Sequence, residues 1–163
     1  MAGLVAGERD MADLIGTSGN DSITGTSSAD TIDGGSGNDV LRGGAGNDSV
    51  TGGPGTDYLY GDEGNDTLTS KRGTGPDYFD GGAGSDRVSA DFAKAAVALR
   101  IDISNPAILQ YVGEGSTIVN VEALTVTGGT SADTFIGGGA ADSLSGYDGD
   151  DILLGAGGND ALS

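Results

Sequence analysis

The chain has 163 residues, of which 33 are glycine and only 5% aromatic, with no tryptophan; this excludes an ordinary helical domain and a thick apolar core. Twenty-five acidic against seven basic side chains leave a formal charge of −18, which repels phosphate backbones and anionic lipid alike, so no nucleic-acid partner is expected. The absence of Cys and His removes disulfides, thiolate metal sites and the commonest soft-metal ligand, leaving oxygen ligands and hard cations as natural partners.

The first segment, residues 1–14, reads "MAGLVAGERDMADL" and is expected to form a short cap over the first coil of a repeating array. It has neither a basic leader nor a sustained apolar run, and no stretch of the chain approaches eighteen apolar residues, so neither a membrane span nor an N-terminal secretion signal is visible.

Residues 15–89 repeat with a period of nine: Asp21, Asp30, Asp39, Asp48, Asp57 and Asp66 stand at equal intervals, and after an extra Thr69-Ser70 the frame resumes at Asp77 and Asp86. Each unit reads G-G-x-G-x-D-x-U-x, where the apolar U is Ile23, Ile32, Leu41, Val50, Leu59, Leu68, Phe79 or Val88. Six glycine-rich residues permit the positive φ angles of a tight turn, and the next three, with one inward aliphatic, make a short strand. Two such units close a coil of eighteen residues, and coils stacked at about 4.8 Å would align Asp21, Asp39, Asp57 and Asp77 on one edge and Asp30, Asp48, Asp66 and Asp86 on the other. A flexible linker or a glycosidase carboxylate pair would not need this register.

On the sheet carrying the second of those edges, the residues beside U are polar: Thr31, Asp33, Ser49, Thr51, Thr67, Thr69, Arg87 and Ser89. The facing sheet places Val40, Tyr58, Tyr60 and Tyr78 outward, which points to covering by the insertion or a partner chain, or to cross-strand stacking of Tyr58 with Tyr78.

From 90 to 126 the period breaks. Val97, Leu99, Ile101 and Ile103 alternate with polar neighbours as in a half-buried strand, and "STIVNVEALTV" supplies another around Val119, Val121 and Leu124. Asn105-Pro106 and "GEGS" read as turns. Residues 127–163 return to the nonapeptide, with Asp133, Asp142, Asp151 and Asp160 and the U residues Phe135, Leu144, Leu153 and Leu162; here Ile136, Ile152 and Leu154 point outward from one sheet. Twelve repeats therefore fall in two arrays of eight and four.

These units resemble the RTX ("repeats in toxin") nonapeptide, a known calcium-binding parallel β-helix repeat. The resemblance implies an all-β fold, a right-handed parallel β-roll (β-solenoid) with two nonapeptide arrays interrupted by a β-rich insertion. It also implies ions between turns n and n+2, held by the twelve repeat Asp carboxylates together with turn carbonyls. Those carbonyls belong to Gly19, Gly35, Gly37, Gly44, Gly46, Gly53, Gly55, Gly64, Gly73, Gly75, Gly82, Gly84, Gly129, Gly149 and Gly158. Ca²⁺, taking six to eight oxygens, fits between stacked carboxylates better than Mg²⁺, and roughly six to eight ions are expected.

Four turns depart from the motif, with Ser28, Arg72, Ser131 and Ala140 at positions normally glycine, and their sites are expected to be weak or empty; Asp148 and Asp150 flank and strengthen another. The "VEAL" phrase resembles the "IENL" that precedes a resumed array in RTX adhesins and hydrolases, so the insertion is read as wider coils of the same solenoid, an independent small domain being the alternative.

By resemblance the chain is a non-enzymatic, calcium-binding module, secreted or at the surface of a bacterial cell and exported by a type I system. It folds on meeting calcium outside the cell, because one buried aliphatic per nine residues cannot by itself offset the entropy of ordering so much glycine. A structural or secretion-assisting role, an adhesive role, a self-assembling surface layer and a carbohydrate-binding module using Tyr58, Tyr60 and Tyr78 are all compatible with that reading. No export tail is visible after the last repeat, so either the chain belongs to a longer protein or its open C-terminal edge pairs with another molecule.

Overall fold

The structure, a computed structural model, describes residues 11–70, 75–112 and 115–163. It is a parallel β-solenoid of about eight coils with essentially no helix.

Strands of mostly three residues alternate between two walls, because each nonapeptide offers only one inward apolar residue before the next glycine-rich turn. One wall is an unbroken eight-stranded sheet: β1 (Asp13–Ile15), β3 (Thr31–Asp33), β5 (Ser49–Thr51), β7 (Thr67–Ser70), β9 (Arg87–Asp91), β13 (Ala123–Thr127), β15 (Ser143–Ser145) and β17 (Ala161–Leu162). The other is split. Six strands, β2 (Ser22–Thr24), β4 (Val40–Ala45), β6 (Tyr58–Glu63), β8 (Tyr78–Asp80), β12 (Thr117–Val119) and β11 (Gln110–Tyr111), form one sheet. The remaining three, β10 (Arg100–Asp102), β14 (Thr134–Ile136) and β16 (Ile152–Leu154), form another.

Register follows the repeat. Leu41 pairs with Leu59 and Leu59 with Phe79, so identical motif positions stack and the U residues make one continuous column. Ile32, Leu41, Val50, Leu59, Leu68, Phe79, Val88 and Phe135 are wholly buried in it. Leu14 occupies the same column, opposite Ile32, so the solenoid already runs at residue 13. Residues 1–10 of the expected cap lie outside the described residues.

Thr69 proves to be an ordinary strand residue, paired with Thr51 and Ser89, so the two-residue insertion starts at Ser70, which lengthens β7 by one; register shifts from eighteen to twenty residues between Thr67 and Arg87. β4 and β6 are longer than three residues because their turns also pair, Gly44 with Asp62 and Ala45 with Glu63.

The insertion adds to the walls. β12 continues the sheet beside β8, β13 continues the other wall between β9 and β15, and β11 joins β12 antiparallel. Two expectations are corrected here. "STIVNVEALTV" is two strands in different walls, because Asn120 takes a left-handed φ of 52° and turns the chain between them. The strand expected from Val97 is confined to Arg100–Asp102; Leu99, Ile101 and Ile103 are buried, but Val97 precedes the strand and is 47% exposed.

The Tyr-bearing wall is not covered by the insertion, which lengthens it, and Tyr58 remains 47% exposed. Its tyrosines contact one another, with ring centroids of Tyr58–Tyr78 at 5.9 Å and Tyr60–Tyr78 at 5.6 Å. The Arg42 guanidinium lies 4.0 Å from the Tyr60 ring centre and 2.9 Å from Asp62 Oδ1. Across the junction of the arrays, the Arg87 guanidinium donates to Leu124 O, Thr125 Oγ1 and Ala141 O, tying three segments of chain together.

Candidate metal centre

Each repeat Asp ends a glycine-rich turn and opens a strand, so coil stacking lays these residues in ranks. Asp39 Oδ1 accepts the backbone N–H of Asp21 at 2.8 Å, Asp57 that of Asp39 at 2.9 Å and Asp77 that of Asp57 at 2.9 Å. On the opposite edge the same bond links Asp48 to Asp30, Asp66 to Asp48 and Asp86 to Asp66. In the second array it links Asp151 to Asp133 and Asp160 to Asp142. From Asp30 onward, one carboxylate oxygen of each repeat Asp thus fastens its coil to the one before.

The second oxygen divides the turns into two kinds. At Asp39, Asp48, Asp57, Asp66 and Asp86, Oδ2 is buried and has no hydrogen-bond partner. These side chains are at most 3% exposed. A buried carboxylate oxygen without a donor is costly, and this arrangement places one in each of the four turns from Asp39 to Asp66 and another at Asp86. Burial pushes the carboxyls of Asp48, Asp57 and Asp86 up to about 6, reinforced by neighbouring carboxylates. It raises Asp39 and Asp66 in the same direction.

The other kind is satisfied from within. Thr17 N–H and Oγ1 both donate to Asp21 Oδ2, and Thr26 N–H and Oγ1 to Asp30 Oδ2. Gly129 N–H donates to Asp133 Oδ2 at 2.8 Å, and Gly138 N–H to Asp142 Oδ2 at 2.9 Å. The bonds from Thr17 hold the Asp21 carboxyl below its ordinary range. Asp77 Oδ2 accepts from Ser70 Oγ at 2.6 Å, and burial raises its carboxyl.

Glycines shape the space around those oxygens. A Cβ on Gly34 would lie 2.5 Å from Asp39 Oδ2 and 2.7 Å from Gly52 O, so a carboxylate and a carbonyl from successive coils converge on a gap that only glycine leaves open. At the fourth position, Gly55 (φ 148°) and Gly64 (φ 140°) sit directly against Gly37 O and Gly46 O of the preceding coil. An L-residue would be strained there and would also overlap those oxygens.

Gly19, Gly75 and Gly84 occupy the same fourth position, whereas Gly73 lies outside the described residues. Carbonyls at the second position are partly engaged: Thr17 O, Thr26 O and Asp62 O accept the third-position N–H of the next coil. Gly35, Gly44, Gly53 and Gly82 hold that position, and Gly149 and Gly158 face Ser131 O and Ala140 O. Gly129 O accepts from Asp148 N–H at 3.2 Å.

No three acidic side chains converge on one point among the described residues. A cation here would take one or two carboxylate oxygens and complete its shell from main-chain carbonyls, a donor set suited to a hard ion with many oxygen ligands.

Two features of the site escaped sequence reasoning. First-position glycines such as Gly34, Gly43, Gly52 and Gly61 border the carboxylate oxygens and were visible only as the first letter of the motif. The Asn of "GND" builds a second ladder: Asn38, Thr56, Asn65 and Ser85 donate their backbone N–H to the side-chain oxygens of Asn20, Asn38, Asn47 and Asn65 respectively. Its recurrence immediately before Asp was the available signal.

Parallel coils, stacked carboxylates and buried unpartnered oxygens together define a calcium-binding β-roll. The family model for the RTX calcium-binding nonapeptide repeat matches the chain in four copies, at residues 13–41, 33–68, 73–92 and 127–162. The chain belongs to that family. No curated protein matches it.

Proposed function

We infer that this chain is a calcium-binding β-roll module that folds on binding Ca²⁺ outside the cell and serves as a structural or secretion-assisting element of an exported protein. The observation that carries this is the rank of buried Asp Oδ2 atoms without partners, flanked by carbonyls of adjacent coils. Calcium bound there would neutralise the stacked carboxylates and cross-link coils that have little apolar core, making binding free energy folding free energy. The Asp side chains hold the ion; the glycine turns bring carbonyls to it and exclude Cβ atoms from its place. Far-UV circular dichroism at pH 7 with millimolar calcium and with excess chelator tests this: at that pH β signal is expected only with calcium, and a full β spectrum in chelator overturns it.

An adhesive or self-assembling role has separate support from exposed apolar residues outside the sites: Val40 and Tyr58 on one sheet, Ile152 and Leu154 on another. Calcium-dependent growth in mass by light scattering, abolished by Tyr58→Ser with Tyr60→Ser, would favour it; a monomer at all calcium concentrations would remove it.

A further inference from the structure

We propose that the turns ending in Asp21, Asp30, Asp133 and Asp142 hold no calcium, and that their own hydrogen bonds replace the ion. This rests on the calcium reading above and restricts it to the coils between Gly34 and Asp86. In these four turns a second-position N–H is donated to the Asp of the same turn, joined at Thr17 and Thr26 by the hydroxyl. None of these second-position residues is left-handed. Where Oδ2 is unpartnered, the second position is left-handed throughout, at Gly35 (φ 91°), Gly44 (φ 105°), Gly53 (φ 104°), Asp62 (φ 71°) and Gly82 (φ 96°).

The sequence cause is local. Thr17 and Thr26 are β-branched, which disfavours the left-handed region, while Ser131 and Ala140 replace the fourth-position glycine whose positive φ accompanies the open form. In a closed turn the carboxylate oxygen that an ion would need already accepts hydrogen bonds from the turn itself. Because an ion between coils draws on both turns, one closed turn empties the gap it borders.

Among the described turns, Asp39 with Asp57, Asp48 with Asp66 and Asp66 with Asp86 are the pairs with both oxygens open. In the second array, Asp151 and Asp160 stack on the closed turns of Asp133 and Asp142.

The test is a calcium count per chain by native mass spectrometry in calcium acetate, on the wild type, Asp30→Asn, Asp142→Asn and Asp66→Asn. In Asp66→Asn the amide oxygen keeps the N–H bond from Asp48 and the amide nitrogen takes the open Oδ2 position, whereas in Asp30→Asn and Asp142→Asn donors face both oxygens and the amide gives up one hydrogen bond without touching an ion site. Asp66→Asn should bind fewer ions than wild type, while Asp30→Asn and Asp142→Asn should bind the same number. Thr26→Gly with Ser28→Gly, which restores the full motif, should bind about one more. Loss of calcium in Asp30→Asn or Asp142→Asn equal to that in Asp66→Asn overturns the proposal, whereas a wild type that binds none overturns the calcium reading itself. Anomalous diffraction from wild-type crystals grown in calcium asks the same without a variant, and density between the Asp30 and Asp48 turns would refute it.

Discussion

Acid should partly replace calcium. The perturbation is a fall from pH 7 to pH 5 in calcium-free buffer, and it acts through Asp48, Asp57 and Asp86, whose carboxyls burial lifts to about 6 in the rolled chain from an ordinary 3.8. Between those values the rolled chain binds more protons than the unfolded one, so its stability rises as pH falls through about 6, and the gain is complete near the ordinary carboxylate value. Two units are worth roughly 3 kcal/mol per group, which water at the turn edges reduces to about half. Between pH 7 and pH 5 only about one of those two units is realised, so three such groups supply roughly 2 kcal/mol, about thirtyfold in the folding equilibrium. Asp21 and Asp102 are held low and act in the opposite sense, but only at still lower pH. The assay is far-UV circular dichroism from pH 7 to pH 5, with light scattering to confirm a monomer as the net charge falls. Gain of β signal without calcium is expected, and the Asp48→Asn, Asp57→Asn, Asp86→Asn triple variant should show more β signal at pH 7 and a smaller change with pH, the remainder coming from Asp39, Asp66 and Asp77, which burial also raises. A wild type that gains no β signal on acidification, or a triple variant that gains as much as the wild type, would refute the reasoning.

Two substitutions test the stacking itself. Gly64→Ala forces a Cβ against Gly46 O at a φ of 140° and should raise the calcium concentration at the folding midpoint at least about tenfold, read by circular dichroism titration. Glu122→Asp shortens the side chain whose Oε2 accepts Asp86 N–H at 2.8 Å, and should destabilise the folded state by about 1–3 kcal/mol in urea at saturating calcium; an unchanged midpoint would show that this bond is not needed.

The fold was legible because its period is short and strict. Nine residues specify one turn, one strand and one inward side chain, and the U positions of the first array form the buried column. The insertion was less legible because alternation alone does not say where a chain turns: Asn120 interrupts an apolar run that reads as continuous. At the site, the ranks of Asp could be read from spacing. What spacing could not show was the state of each second oxygen. "GTSGND" keeps the fourth-position glycine and looks regular, yet Thr17 at the second position satisfies Asp21 from within its own turn.

The insertion separates two tasks that the regular repeat assigns to one residue. Where the next coil brings no Asp, the stacking bond is still made: Asp77 N–H is donated to Ser116 Oγ at 3.0 Å, and Asp86 N–H to Glu122 Oε2. A hydroxyl suffices for this, so coil stacking does not require a carboxylate rank. Glu122, one methylene longer than Asp, makes this bond from a turn of three residues, 120–122, where a nonapeptide turn has six. With that short turn β13 stays in register beside β9, and the eight-stranded wall runs unbroken from one array to the next while the opposite wall divides around the longer excursion. The demand for metal therefore arises from the unpartnered second oxygen: a coil fastened by Ser116 stacks with nothing to neutralise, whereas one fastened by Asp66 buries a carboxylate oxygen that no donor of its turn reaches and that a proton or a cation would satisfy.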